Sequence, residues 1–244
     1  MITGSARVED LKARRPRLAA FDAAPVTLPG VEIVQAMFEM PGSARECIVP
    51  PGLHPTIPAA LVLQAWRCPE SPWGPFSLVQ ARAQTRSGVR PRGFVTGAAC
   101  DSAAAATALA SGFGYPALPA EIRWQRSYDT VRLEVLRAGE TILALEGADP
   151  DPLAPGDVQF SGTLNLADTP RGWRLVQVDP EFRPTRAERL HPKLSAFSAA
   201  AWGDPRLDPY FPVSASVTLA DVTIPALRFV CRPDELAFTG TERV

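Results

Sequence analysis

The sequence predicts a single domain that is mainly β-structure, of the α+β class, with one well-formed short helix. Of its 244 residues 26 are proline, about twice the usual share. Because proline is excluded from helix interiors and central strands, many short elements joined by turns are expected. Runs rich in β-branched and aromatic residues lie between these turns, and no internal repeat or domain linker interrupts them.

Strands and one helical turn are predicted in the first third of the chain. Residues 31–40 form a run with β-branched and aromatic side chains that ends at Pro41-Gly42, which is typical of a strand. Residues 43–48 allow one helical turn before Pro50-Pro51-Gly52 stops it. The next predicted strands are residues 59–66 and 76–85.

The predicted helix covers residues 102–111. Asp101 or Ser102 is a favourable N-cap, and the alanines that follow are the best helix formers. Gly112 and Gly114 supply the stop.

A hairpin and further strands are predicted in the second half. Residues 130–137 and 141–146 flank a turn at Ala138-Gly139-Glu140, which favours a β-hairpin. Later strands are predicted at residues 159–166, 173–178, 213–219 and 226–231. A helix is suggested, against nearby prolines, by the helical spacing of Leu190, Leu194, Phe197 and Ala201.

The N-terminus differs in composition from the rest. Residues 1–25 are charged and hold few candidates for a core, so a flexible or loosely docked segment is expected before one domain over residues 26–244. That segment lacks the apolar stretch of a secretory signal. No run in the chain approaches the roughly 18 to 20 apolar residues of a membrane span, so a cytoplasmic protein without a membrane partner is expected.

The charged residues exclude several classes of function. The chain has 26 acidic and 25 basic residues for a net charge of −1, which argues against a nucleic-acid partner. Only Lys12 and Lys193 are lysines, and only His54 and His191 are histidines. Few residues are therefore available for amine catalysis, histidine acid–base chemistry or a histidine-rich metal site.

The four cysteines are widely spaced and show no C-x-x-C pairing. Free thiols in a reducing compartment are expected, and neither a metal site nor a cofactor is predicted. The cysteines are Cys47, Cys68, Cys100 and Cys231.

Four segments, in order, resemble the acetoacetate decarboxylase superfamily over about residues 31–231. They are VPPGLHP (49–55), SPWGPFSLVQ (71–80), CDSAAAATALASGFGYPALPAEI (100–122) with the hairpin after it, and YFPVSASVTLADVTIP (210–225). The resemblance implies a cone-shaped, closed β-barrel with a central cavity and one or two short helices. It also implies assembly into a homo-oligomer.

The chemistry of that family does not carry over with the resemblance. In the family, one of two adjacent lysines forms an imine with the substrate ketone, and the matching positions here are Ala117 and Leu118. The family glutamate of the preceding strand falls on Leu78. The implied cavity has therefore lost charge, and it should accept a larger or more apolar ligand than a short keto acid.

Three polar residues are the catalytic candidates that remain. Gln80 and Arg82 lie two and four positions after Leu78, so strand alternation places them on the same face. Arg82 would hold a carboxylate or enolate oxygen, Gln80 would donate to a carbonyl, and Tyr115 would donate a proton or stack on a ligand. Alternatively, this face turns outward near the end of its strand, and Tyr115 is packing only.

The expected substrate-binding residues are Phe76, Leu78, Ser111, Phe113, Ala117 and Leu118. Together these residues predict a small-molecule enzyme of the lyase, cyclase or isomerase type. It would perform a non-covalent cyclisation, dehydration or isomerisation of a moderately apolar metabolite in specialised biosynthesis. The alternatives are a non-catalytic binding protein and a decarboxylase that uses Lys193. His191 as a base and Cys100 as a nucleophile are further alternatives.

Overall fold

The computed structural model describes residues 3–244, and strands make up most of it. The strands are β1 (Val26–Glu39), β2 (His54–Pro55), β3 (Ala60–Cys68), β4 (Phe76–Ser87), β5 (Arg90–Cys100), β6 (Ala117–Pro119), β7 (Glu121–Arg126), β8 (Thr130–Arg137), β9 (Glu140–Leu153), β10 (Gly162–Thr169), β11 (Gly172–Val178), β12 (Glu181–Phe197), β13 (Phe211–Ile224), β14 (Phe229–Cys231) and β15 (Thr241–Arg243).

Four α-helices accompany the strands in the described part of the chain: α1 (Val8–Leu11), α2 (Gly42–Ile48), α3 (Ala103–Phe113) and α4 (Ala237–Gly240). Two single 3₁₀ turns lie at Pro155–Asp157 and Ala199–Trp202. The two longest helices are α2 and α3, and they coincide with the helical turn and the helix predicted from the sequence.

All strands belong to one mixed sheet. Its order is β15-β14-β11-β10-β5-β4-β3-β1-β13-β12-β9-β8-β7, with β2 beside β4 and β6 beside β5. The β5–β10 and β5–β6 pairs are parallel, and the other pairs are antiparallel. Within residues 3–244 no hydrogen-bonded pairing joins the end strands β15 and β7, so the sheet curls without a closing strand pair.

The two faces of the sheet pack into two separate cores. The inner core surrounds α3 and includes Ile33, Trp66, Leu78, Cys100, Leu109, Phe113, Tyr115, Val176, Val222 and Val230. In the strand order, β14 and β13 are far apart, yet side chains of both belong to this core. The sheet must therefore curve around α3. The outer core includes Leu63, Val79, Ala81, Leu133, Leu143, Trp202 and Val217. The mainly β fold class is confirmed.

Helix α3 forms for the local reasons that its sequence indicates. The Ser102 hydroxyl accepts a hydrogen bond from the Ala105 amide at 3.3 Å and caps the first turn. Ala105 and Leu109 are one turn apart and are both buried in the inner core. Gly114, with φ of 74°, ends the helix in the left-handed conformation that glycine adopts without steric cost.

The prediction of a helix around residues 190–201 is wrong. Residues 181–197 form β12, which pairs with β13 on one side and with β9 on the other. The register shifts close to Pro184 and again at Arg189–His191, next to Pro192, so bulges accommodate the prolines. Pairing on both sides outweighs the local helical spacing, because it provides hydrogen-bond partners for the backbone N–H and C=O groups along the segment.

The N-terminal segment contributes two buried side chains, Ala6 and Leu18. The Gly4 amide donates to the Leu53 carbonyl, and the Ala6 amide donates to the Val49 carbonyl, both at 3.0 Å. The division into residues 1–25 and a domain over 26–244 stays a prediction. Among the described helices, none is long and apolar enough to cross a membrane.

Candidate active site

Strand β4 presents Gln80 and Arg82 to the inside of the curved sheet. Phe76 and Leu78 of the same strand belong to the inner core, while Val79 and Ala81 belong to the outer core. This alternation places Gln80 and Arg82 on the inner face, and both side chains are buried. The alternative in which this face turns outward does not describe the structure.

Gln80 lies at the end of a row of glutamines that crosses three strands. The sheet register aligns Gln35 of β1 with Gln64 of β3, and Gln64 with Gln80 of β4. The Gln64 amide nitrogen donates to Gln35 Oε1 at 2.8 Å, and Trp66 Nε1 donates to Gln64 Oε1 at 2.8 Å. The Gln80 side chain has no such partner within residues 3–244, neither for its oxygen nor for its nitrogen.

Arg82 is a buried guanidinium without a counter-ion in the described residues. Its side chain is 1% exposed and lies across Gly93, where an added Cβ would come within 2.8 Å of Arg82 Cβ. Nη1 donates to the Ser161 carbonyl at 3.3 Å, whereas Nε and Nη2 have no partner among residues 3–244. Burial lowers the pKa of Arg82 to about 10, so the group is still charged at neutral pH.

Tyr115 follows the Gly114 turn and points its phenol into the inner core, where the residue is fully buried. The Thr163 hydroxyl donates to the phenol oxygen at 3.3 Å. Burial raises the pKa of Tyr115, while the Thr163 hydrogen bond and the Arg82 charge oppose that rise. Tyr115 is therefore neutral near pH 7 and retains a proton to donate.

Two polar residues of β10 join this group, and the sequence analysis missed them. Thr163 and Asn165 are buried and alternate with Leu164 and Leu166. The Asn165 amide nitrogen donates to the Phe113 carbonyl at 2.9 Å, and its oxygen has no partner within residues 3–244. The signal in the sequence was the alternation of Thr163 and Asn165 with Leu164 and Leu166.

A short segment before β10 covers Arg82 and Gln35. The carbonyl oxygens of Gln159 and Ser161 accept from Gln35 and Arg82 respectively. Between them, Phe160 stacks on Phe182 with ring centroids 4.2 Å apart. A cleft of about 710 Å³ opens beside this segment, and its polar lining includes Gln35, Gln159, Arg189, His191 and Ser216.

The remaining predicted binding residues separate into three groups. Phe76, Leu78 and Phe113 are buried in the inner core. Ala117 pairs with Ala98, which in turn pairs with Gln80 on the other side. Leu118 lines a different cleft, near the N-terminal segment. Ser111 is exposed, and its hydroxyl donates to the Thr107 carbonyl on the helix surface, so it does not join the inner group.

Neither lysine lies in the inner core. Lys193 is exposed, and Lys12 pairs with Glu9 at 2.5 Å on the N-terminal segment. His191 is exposed and lines the 710 Å³ cleft. Residues 3–244 contain no group of three or more histidine, cysteine or acidic side chains placed to hold a metal ion.

We expect Cys100 to resist alkylation in the native protein. Burial raises the pKa of its thiol to about 11, so almost no thiolate, the nucleophilic form, is present at pH 8. Cys47 is only half-buried and should react first. Intact-mass measurement after brief iodoacetamide treatment checks this, with urea-unfolded protein as the control that labels all four cysteines. Rapid labelling of Cys100 would restore it as a candidate nucleophile.

Comparison with solved structures identifies the fold. No protein-family model and no curated protein matches the sequence. Acetoacetate decarboxylase from Legionella pneumophila superposes with a TM-score of 0.75 at 18% identity, covering 84% of this chain and 86% of that chain. The enduracididine biosynthesis enzyme MppR, complexed with the condensation product of pyruvate and imidazole 4-carboxaldehyde, gives 0.69 at 16% identity, covering 86% and 90%.

A third similar structure is an acetoacetate decarboxylase-like enzyme from Sphingomonas wittichii RW1. It gives a TM-score of 0.68 at 15% identity and covers 84% of this chain and 92% of that chain. All three superpositions span most of both chains. The chain therefore has the fold of the acetoacetate decarboxylase superfamily, as its sequence resemblance implied.

Proposed function

We propose that this protein is an enzyme that rearranges a moderately apolar metabolite without attaching it covalently. The observation that carries the proposal is the buried group of Gln80, Arg82 and Tyr115. Polar groups enclosed in a core are normally hydrogen-bonded, and each one left without a partner costs about 1–3 kcal/mol. A ligand that supplies those hydrogen bonds explains why the fold retains Gln80 and Arg82 at this place.

The chemistry of the group suits an oxygen that gains negative charge. Arg82 Nε and Nη2 are available to hold a carboxylate or enolate oxygen, and the Gln80 amide nitrogen is available to a carbonyl oxygen. Donors fixed in a buried site stabilise a developing oxyanion more strongly than water does. Neutral Tyr115 supplies a further proton, and Trp66 and Leu78 give the site an apolar wall. Cyclisation, dehydration and isomerisation through an enolate can each use donors placed in this way.

The similar structures support the class of pathway and not the reaction. MppR is an enduracididine biosynthesis enzyme, and we propose specialised biosynthesis for this chain as well. A homo-oligomer in the cytoplasm is part of the same proposal. The imine mechanism is not proposed, because Ala117 and Leu118 occupy the matching positions and both lysines lie away from the inner core.

Borohydride reduction in the presence of pyruvate or acetoacetate is expected to leave the protein mass unchanged. An imine would need an amine beside Gln80 and Arg82, whereas Lys193 is exposed and Lys12 pairs with Glu9 on the N-terminal segment. Intact-mass measurement after reduction checks this. An adduct mapped to Lys193 would instead favour the decarboxylase alternative.

Replacing Tyr115 by phenylalanine separates an enzyme from a binding protein. Phenylpyruvate, with a carboxylate, a ketone and an apolar ring, is a suitable probe, and NMR in D₂O follows exchange of its C3 protons. We expect the native protein to accelerate exchange and Tyr115→Phe to reduce that acceleration about 100-fold, the usual contribution of a positioned acid.

Tyr210→Phe is the matched control, because Tyr210 is exposed and its hydroxyl donates to Glu39 at the surface. It should exchange phenylpyruvate protons at the native rate. Saturable binding of phenylpyruvate with no acceleration of exchange would identify a non-catalytic binding protein.

A further inference from the structure

A second cleft, of about 510 Å³, separates the N-terminal segment from strand β5. We call it the N-terminal cleft. Its charged lining residues are Arg7, Asp10, Arg14, Arg15, Asp204 and Arg206. Thr96, Gly97, Pro116 and Leu118 line it as well, so it lies directly behind the loop that carries Tyr115. Four arginines against two aspartates make this cleft electropositive.

Both aspartates are already paired with arginines of the cleft. Asp204 accepts from Arg206 Nε at 2.8 Å and from Arg206 Nη2 at 2.6 Å. Asp10 lies 3.9 Å from Arg7. The positive charge that is left over belongs to Arg14 and Arg15, for which residues 3–244 provide no carboxylate within 4 Å.

Arg15 is anchored and Arg14 is not. Arg15 donates through Nε to the Leu11 carbonyl at 3.0 Å and through Nη1 to the Val95 carbonyl at 2.8 Å. The Arg14 side chain makes no hydrogen bond or ion pair to any described residue and lines the cleft. Its backbone has φ of 60°, a conformation that favours glycine over arginine. Arg14 is exposed, so its guanidinium donors are open to an anion that enters the cleft.

We propose that the N-terminal cleft binds a small organic anion through a phosphate or carboxylate group held by Arg14 and Arg15. Guanidinium groups form paired hydrogen bonds with both kinds of anion. The volume lies within the range of small-molecule sites. Leu11, Pro116 and Leu118 provide apolar contact for the rest of the ligand. The site is separate from Arg82, and it does not depend on the proposed reaction.

Isothermal titration at low ionic strength with pyrophosphate and with citrate tests the proposal. We expect saturable binding of one of them at millimolar affinity or tighter. The anion that binds more tightly identifies phosphate or carboxylate as the preferred group. Hydrogen exchange should then slow in residues 5–15 and 116–118. If neither anion binds saturably, the proposal is wrong.

Arg14→Gly is the decisive variant, because glycine adopts a positive φ freely. We expect its melting temperature to equal or exceed that of the native protein, while its affinity for the anion falls at least tenfold. Arg17→Gly is the matched control, since Arg17 is 83% exposed, lies outside the cleft lining and contacts only Asp168 at 3.8 Å. Its anion affinity should be unchanged.

Arg82→Met separates the two candidate anion sites. Binding to the N-terminal cleft should persist in this variant with the native affinity. Loss of binding in Arg82→Met, or equal loss in Arg14→Gly and Arg17→Gly, would overturn the assignment.

Discussion

Arg82→Met is expected to make the protein more stable and to reduce its proposed activity. The Arg82 guanidinium is charged and buried, and within residues 3–244 it has one hydrogen bond and no carboxylate partner. Methionine preserves the packing of the side chain across Gly93 and removes the buried charge. Replacing buried charged groups by apolar groups of similar volume often stabilises a fold by about 1–4 kcal/mol. We expect a gain of about 1–3 kcal/mol, measured by urea unfolding.

The same variant should lose at least about 100-fold in the rate of phenylpyruvate proton exchange, the cost of removing one oxyanion donor. An opposite change in stability and activity distinguishes a residue kept for function from one kept for structure. If Arg82→Met unfolds more easily than the native protein, Arg82 stabilises the fold and the proposed site is wrong.

Arg92→Met on the adjacent strand is the matched control for stability. Arg92 is also buried, yet both its Nε and its Nη2 donate to Asp179 at 2.7 Å. Removing it leaves the Asp179 carboxylate without its partner, so we expect a loss of stability of about 1–2 kcal/mol, moderated because Asp179 is partly exposed. The same substitution at two buried arginines should therefore change stability in opposite directions.

Trp202→Ala is expected to lower the free energy of unfolding by about 3–5 kcal/mol, the usual cost of truncating a buried aromatic residue. Trp202 is 1% exposed in the outer core, and its indole nitrogen donates to the Ile142 carbonyl at 3.0 Å. Its ring lies parallel to that of Phe197 with centroids 6.4 Å apart. Alanine would leave a cavity and would remove one of the two hydrogen bonds that the Ile142 carbonyl accepts, the other coming from the Ser198 amide. Urea unfolding measures the change.

Trp124→Ala is the control for Trp202→Ala. Trp124 is half-buried on the terminal strand β7, and its indole nitrogen has no partner in the described residues. Its truncation should cost less than half as much as that of Trp202. Equal losses at the two positions would contradict the central role of Trp202 in the outer core.

The sequence by itself determined the elements whose signals are local. Helix α3 begins and ends at Ser102 and Gly114 because a hydroxyl cap and a left-handed glycine act within one turn. The hairpin of β8 and β9 follows from two strand-forming runs around a short turn. Alternation along β4 placed Gln80 and Arg82 on one face, since side chains of a strand point to opposite sides in turn.

Where long-range strand pairing decides the structure, the local sequence pattern predicted the wrong element or no element. Strand β5 contains proline and two glycines, so its sequence gave little indication of a strand, yet it pairs with β4, β6 and β10. The apolar residues of β12 have helical spacing, yet the segment is a strand because its backbone pairs with β13 on one side and with β9 on the other. In both cases the backbone hydrogen bonds come from residues far away in the sequence.

Only the tertiary structure decided which buried polar side chains lack a hydrogen-bond partner among residues 3–244. Gln64 and Gln80 look alike in the sequence, but Gln64 is satisfied by Gln35 and Trp66 while Gln80 has no described partner. Thr163 reaches Tyr115 because β10 pairs in parallel with β5, nearly seventy residues earlier. Alternation along a strand determines which face of the sheet a side chain lies on. Which side chains lie beside it on that face depends on the register of distant strands. That register therefore decides which of its hydrogen bonds are made.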